Sequence, residues 1–164
     1  MILRSIALAG GLAGAATTSQ FPEFSQQYLQ RLGGAVDALG EVVADFDASA
    51  AASDLSRDDA LSQMTGTPFL ERRGAEMTRS INRYERLSAD LATLEGQGPF
   101  MRAYHAASFT DTDIAQAAWE AYQPAVPVSF AGLSFAGLGF ALGSLAVGGV
   151  LGLLRMPFRR RQKA

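Results

Sequence analysis

Few residues in this chain have the chemistry for a catalytic or metal site. His105 is the single imidazole, and Asp111 and Asp113 follow it within eight residues. One histidine with two carboxylates is the beginning of a divalent-metal site, which needs a third or fourth ligand to close. No cysteine is present to supply it, and zero cysteines also exclude disulfides, iron–sulfur clusters and thiolate zinc sites. The pairs Asp45/Asp47 and Asp58/Asp59 offer hard oxygen ligands, but no loop around them has the alternating spacing, turn glycine and closing glutamate of a calcium loop. Arg72, Arg79, Arg83 and Arg86 form a stripe on a helix, open either to an acidic partner or to solvent, with Arg72–Glu76 and Arg86–Asp90 spaced to pair along it. Phosphate-binding loops, nucleophile elbows and zinc-protease helices do not occur in the sequence. The expectation is a protein that is not an enzyme, with no catalytic residue, metal or cofactor and no small-molecule or nucleic-acid partner.

What must be positioned, then, is not a site but a set of helices, and charge shows where they lie. Of 14 cations, Arg4 stands near one end and Arg155, Arg159, Arg160, Arg161 and Lys163 near the other. Between Glu23 and Glu120 all 16 acidic residues face 8 arginines. From Ala121 to Leu154 no charge occurs in 34 residues, and Val126 onward is apolar or small. A helix needs about 20 such residues to cross a bilayer, so residues 126–154 are expected to span it. Residues 1–19 are expected to form a first, shorter transmembrane helix. Its single arginine, short apolar stretch and the run Ala13-Gly14-Ala15-Ala16 leave a cleavable signal peptide as the alternative.

Cations beside both apolar segments orient both termini to the cytoplasm. Residues 20–125 then form an exported domain and 155–164 a basic cytoplasmic tail, whose cations also face anionic lipid. In a bacterial cell this is the inner membrane, with the central domain in the periplasm.

Within 20–125, apolar residues at Phe24, Tyr28, Leu32, Val36, Leu39, Val43 and Phe46 predict a helix over 22–51. Gly33, Gly34 and Gly40 within it mark either a bend or a close approach. Ser56 is a candidate cap for a short helix over 57–64, ended by Gly66, and Thr67-Pro68 opens a second long helix. There Leu70, Met77, Tyr84 and Leu91 recur every seven residues, joined by Ile81, Leu87 and Leu94, until Gly96-Gln-Gly-Pro99. The two long helices are expected to pair as an antiparallel, coiled-coil-like hairpin. A two-helix pair buries little surface, so a third helix, capped by Thr110 or Asp111 and ending near Tyr122, should cover it. Trp119 and Tyr122 suit either the membrane interface or packing on the hairpin base.

Small residues fall on two sides of the second span: Gly132, Ala136, Gly139, Gly143 and Ala146 on one, Gly137, Ala141, Ser144, Gly148 and Gly152 on the other. Ala7, Gly10, Gly14 and Thr17 make a matching face on the first. Close helix packing through small residues is a main source of association in lipid. One face is therefore expected to meet the first span, and the other a second copy or a partner protein.

The stretch SQFPEFSQQYLQRLGGAVDAL from Ser19 to Leu39, the stretch Met64-Thr-Gly-Thr-Pro-Phe-Leu70 and the basic end after a glycine-rich span resemble a bacterial family of small inner-membrane proteins known only as a domain of unknown function. The resemblance implies an all-α membrane protein with two spans and a helical exported domain, and transfers no activity. The functional expectation is a membrane scaffold or accessory subunit acting through helix packing and protein contacts. An envelope component assisting transport or lipid handling is the alternative.

Overall fold

Helix starts and stops in this chain are set by local signals. Thr67 caps the helix Pro68–Leu94 by accepting the Leu70 N–H at 3.2 Å, and proline occupies its first turn. Ser56 does the same for Arg57–Gln63, accepting from Asp59 N at 3.1 Å. Asp111 caps Thr112–Glu120 through the Ile114 N–H. Gly96, at φ +71°, takes the left-handed conformation just beyond Leu94 that a side chain would resist.

In the computed structural model the backbone is described for residues 2–124, 126 and 128–160, and side chains for 4–124, 126 and 128–153. The helices are α1 (Ile2–Thr18), α2 (Phe21–Ala51), α3 (Arg57–Gln63), α4 (Pro68–Leu94), α5 (Pro99–Tyr104), α6 (Thr112–Glu120) and α7 (Phe130–Arg160). A single 3-10 turn, Ala106–Ser108, joins them, and no strand occurs among the described residues. The fold class is all-α, as the periodicity predicts. The chain divides into two compact units, one of residues 1–26 with 122–164, the other of residues 27–121.

The first unit holds α1, the opening turn of α2, and α7. Its aromatic residues cluster where α1 gives way to α2: the Phe21 ring lies 5.3 Å from Phe135 and the Phe24 ring 6.5 Å from Tyr122, whose hydroxyl hydrogen-bonds Gln20 Oε1.

The second unit is built on α2 and α4. On α2 the buried positions Tyr28, Leu32, Val43 and Ala50 keep the predicted helical spacing. On α4 the deepest apolar residues are Ile81, Leu87 and Leu94, whereas Leu70 is exposed and Met77, Tyr84 and Leu91 are half-buried. The seven-residue row is thus the margin of the buried face and not its centre. α6 places Ile114 and Ala118 in the core, and its cap Asp111 pairs with Arg83 and Arg86 of α4. Of the three α2 glycines, Gly40 makes the close approach, since a Cβ there would lie 3.2 Å from the Tyr84 ring. Gly33 and Gly34 face open space. The third helix expected with Thr110 or Asp111 as its cap is α6, capped by Asp111; α5 and the 3-10 turn precede it, and α5 buries its charged residue, Arg102, at 8% exposure.

Candidate functional site

Two arrangements stand out, one in each unit. In the first unit α1 and α7 run antiparallel with their backbones in contact. Gly10 meets Gly143 and Val147, Gly14 meets Gly139 and Gly143, and Thr18 meets Phe135 and Gly139, so each step of four up α1 is a step of four down α7. A Cβ at Gly14 would press on the Gly139 carbonyl oxygen and lie 3.0 Å from its carbon and 3.4 Å from Gly143 Cα. At Gly143 it would meet the Gly10 carbonyl in the same way, 3.0 Å from the carbon. These obstacles are backbone, which no rotamer change can move aside. The Thr18 hydroxyl closes one end of the seam, lying 2.6 Å from Phe135 O across the interface and 2.9 Å from Gly14 O.

The rest of this unit is turned outward. Ile6, Leu8 and Leu12 on α1 and Leu138, Leu145 and Leu153 on α7 are exposed while the glycines are in contact. A helix pair made for water does the reverse, burying large apolar side chains and presenting polar ones. Within the contact the helices meet mainly through small residues, and these large apolar residues face away from it. Thr17 and Ser134 donate to the carbonyls of Ala13 and Phe130, at 3.0 and 2.8 Å, within their own helices. Phe130–Leu153, 24 residues, is the one helix among those described that is long and apolar enough to cross a membrane. α1, with 17 residues, reaches about 26 Å at 1.5 Å per residue.

In the second unit the organising group is Asp111, 5% exposed. Arg83 grips it with two hydrogen bonds of 3.1 Å, one to each oxygen, and Arg86 Nη2 stands 3.5 Å from Oδ2. The Ile114 N–H donates to Oδ1 at 3.1 Å, and Asp111's own N–H donates to the Tyr28 hydroxyl at 3.4 Å. Next to it Thr110 donates to buried Asp90 at 2.5 Å, and the Phe109 ring lies 4.6 Å from Tyr28. Burial alone would raise the Asp111 pKa. The Ile114 N–H, Arg83 and Arg86 outweigh it and hold the carboxyl below the usual range. Burial raises the Tyr28 phenol, and the carboxylates of Asp90 and Asp111 add to that, against the Asp111 N–H and Arg86. Three hydrogen bonds and the Arg86 ion pair engage both carboxylate oxygens of Asp111. Its role is to tie α6 and α2 to α4.

The family model described as "Protein of unknown function (DUF2937)" matches residues 2–160. The chain belongs to the DUF2937 family. Comparison with curated proteins and with solved structures finds no match. The family description carries no activity, so the properties of this DUF2937 chain have to be argued from its own geometry.

Set against the sequence, the expected Gly10, Gly14, Gly139 and Gly143 all lie in the α1–α7 seam, and Gly11 lies there with them. Gly132 is buried in the first turn of α7 and donates its N–H to Ser129 Oγ at 3.1 Å. Gly148 and Gly152 are exposed, with open space where a side chain would go. Two assignments change sides. Ser144, placed by its small size on the far face, lies against Gly11, and Ala146 is exposed. The seam is centred between Gly143 and Val147, and counting small residues alone overlooks Val147 and Phe140, which both line it. On α1 it is Thr18 and not Thr17 that reaches α7. Arg155, Arg159 and Arg160 belong to the last turns of α7, their side chains outside the described residues, and Arg161 and Lys163 lie outside them altogether.

The metal and arginine readings resolve differently. Among the described residues no three metal-capable side chains converge. His105 ends α5 with its ring edge-on to Tyr104, and Asp111 is committed to Arg83 and Arg86. The expected local pairs are replaced: Arg73, not Arg72, pairs with Glu76 at 2.6 Å, and Arg86 turns from Asp90 to Asp111. Half of the arginine stripe is therefore internal bracing. Arg79 and Arg83, with Leu39, Glu76 and Ser80, line an open hollow of about 360 Å³. Tyr28, read from sequence as one more apolar position, proved to carry the polar contact to Asp111, a role that its hydroxyl alone would have signalled.

Proposed function

We propose that this DUF2937 protein is a two-span membrane protein, retained whole, that serves as a non-enzymatic scaffold or accessory subunit. On this reading α1 and α7 cross the bilayer side by side, and the region from α2 to α6 stands on the opposite side from the basic ends. α2 and α4 form an antiparallel hairpin there. For a bacterial inner membrane that side is the periplasm.

The observation that carries the proposal is the antiparallel glycine seam with large apolar residues turned outward. Antiparallel packing brings the Arg4 end of α1 beside the Arg155 end of α7, and the distribution of cations independently favours one side for both. Removal of residues 1–16 as a signal peptide would strip Gly10 and Gly14 from the Gly139 and Gly143 backbone, which favours retention. The 26 Å reach of α1 falls only slightly short of the roughly 30 Å hydrocarbon thickness, a mismatch that local thinning accommodates at modest cost. The scaffold role is supported by a surplus of helix surface: the Gly148 and Gly152 side of α7 remains open after α1 is in place.

Native mass spectrometry after gentle extraction, with crosslinking before it, tests both parts. Full-length chains in a homo-oligomer or with a copurifying protein are expected. A lone monomer would remove the scaffold reading, and a mass lacking residues 1–16 would remove the two-span reading.

A further inference from the structure

Glu76, Arg79, Ser80 and Arg83 stand at i, i+3, i+4 and i+7 on α4 and so share one side of that helix. With Leu39 of α2 they line the open hollow of about 360 Å³, and every one of these walls belongs to the second unit.

The charges on the walls do not cancel. Glu76 is neutralised by Arg73, whose Nη1 lies 2.6 Å from Oε2. Arg83 is balanced by Asp111, but its two hydrogen bonds to that carboxylate and its 3.6 Å approach to Asp113 use Nε and Nη2, so Nη1 has no partner among the described residues. Arg79 is exposed and enters no ion pair or hydrogen bond among the described residues. Asp37 and Glu41, the acidic residues of α2 nearest in sequence to Leu39, lie about 160° round that helix from it. Ser80 donates its hydroxyl proton to Glu76 O at 3.1 Å, which leaves recognition to the guanidinium groups. The hollow therefore holds one uncompensated positive charge and unused N–H donors on two arginines, whose Cβ atoms at i, i+4 spacing lie about 5–6 Å apart.

Those donors define the ligand. A carboxylate is matched by the fork of a single guanidinium, as Arg83 shows with Asp111. Two guanidinium groups on successive turns offer donors from separate directions, which suits the tetrahedral oxygens of a phosphoryl group. Bare phosphate would leave much of the hollow empty, because its volume falls within the range of organic-ligand pockets, about 300–1,000 Å³. Leu39 gives the remaining wall an apolar surface.

We propose that this hollow binds the phosphoryl group of an organic phosphate ester, with Arg79 as its main cation, Arg83 Nη1 as the second donor and Leu39 against the apolar part of the ester. A soluble monoester and a phospholipid headgroup share this chemistry. The inference goes beyond the membrane and scaffold readings and does not rest on them, because no residue of α1 or α7 takes part.

Isothermal titration of the full-length protein in a nonionic detergent tests it, with phenyl phosphate as the soluble ester, dihexanoyl phosphatidylglycerol as the headgroup, and inorganic phosphate for comparison. Saturable binding of at least one ester is expected, tighter than that of inorganic phosphate. A preference for phenyl phosphate would assign a soluble monoester and a preference for the lipid a headgroup, and either supports the proposal. Arg79→Gln should weaken binding about ten- to a hundredfold, the worth of hydrogen bonds to a charged group. Arg72→Gln removes a likewise exposed cation of α4 that does not line the hollow, and should leave the affinity unchanged. No saturable binding of either ester, or binding that Arg79→Gln leaves intact, would overturn the proposal. An equal loss in Arg72→Gln would overturn it too, by reducing the effect to the general field of the helix. Inorganic phosphate bound as tightly as the esters would do the same, since Leu39 would then contribute nothing and only an adventitious ion would remain.

Discussion

Gly143→Ala should loosen the α1–α7 pair, and the seam shows by how much. The added methyl would press on the Gly10 carbonyl oxygen, 3.0 Å from its carbon and 3.4 Å from Gly11 Cα, all of them backbone atoms. Relief requires the helices to part by several tenths of an ångström along the contact. A radial gap of about 0.5–1 Å forfeits a quarter to a half of the dispersion attraction of each atom pair, and overpacking of this kind costs about 1–3 kcal/mol. The hydrogen bond from Thr18 to Phe135 O would stretch with it. At 1.4 kcal/mol per factor of ten, the pair should weaken about 5- to 150-fold. Gly148→Ala is the matched control, because a Cβ there meets nothing within 4 Å. The chain has no cysteine, so a Gly11→Cys, Ser144→Cys pair across the seam can be equilibrated with a glutathione buffer in membranes. The oxidised fraction then reports the effective concentration of the two thiols. Adding Gly143→Ala should lower that concentration by a factor in the stated range, and adding Gly148→Ala should leave it unchanged. Equal values for the two variants would refute the argument from backbone contact.

Asp111→Ala removes both a helix cap, worth about 1 kcal/mol, and ion pairs to half-exposed arginines, worth about 1–2 kcal/mol after solvent screening. A loss of about 2–3 kcal/mol in the denaturant melt of the second unit is expected, and Asp111→Asn, which keeps the cap, should lose about 1 kcal/mol less. Because the folded-state pKa of Asp111 lies below its unfolded value, its stabilisation is present above about pH 4 and is lost as pH falls through the depressed value. Tyr28 has the opposite sign: its raised pKa gives a contribution that is complete below about pH 10 and declines as pH rises beyond it. Asp111→Asn should flatten the acid limb of the stability profile and Tyr28→Phe the alkaline limb; unchanged limbs would remove these residues from the balance. Gly148→Leu with Gly152→Leu, placed on the open side of α7, should abolish detergent-resistant assembly on native gels while leaving the α1–α7 seam intact. Unaltered assembly would show that the second face is not a contact.

Features decided within a few residues could be read directly from the sequence. Thr67, Ser56 and Asp111 cap helices because each places an oxygen three residues before a free N–H, and Pro68 and Gly96 bound α4 through backbone restrictions of their own. What depended on distant partners could not be read that way. Arg86 faces Asp90 one turn away, yet turns to Asp111, which reaches it only when α6 folds back. α5 was overlooked because six residues carry too little periodicity, and its buried residue is an arginine where a helical pattern would place an apolar one. The glycine pattern identified Gly10, Gly14, Gly139 and Gly143 because small size is what backbone contact requires. It was blind to Val147 and Phe140, whose place in the seam depends on where α1 lies.

The central claim is that both basic ends share one side of a membrane and the α2–α6 region occupies the other. With no native cysteine, Ser53→Cys, in the exposed turn after α2, and Gln162→Cys, beside the basic tail, each give one reporter. On spheroplasts of a bacterial host, a membrane-impermeant maleimide should label Ser53→Cys at once and Gln162→Cys only after the membrane is opened. Labelling of both in sealed spheroplasts, or of Gln162→Cys alone, would contradict the two-span arrangement.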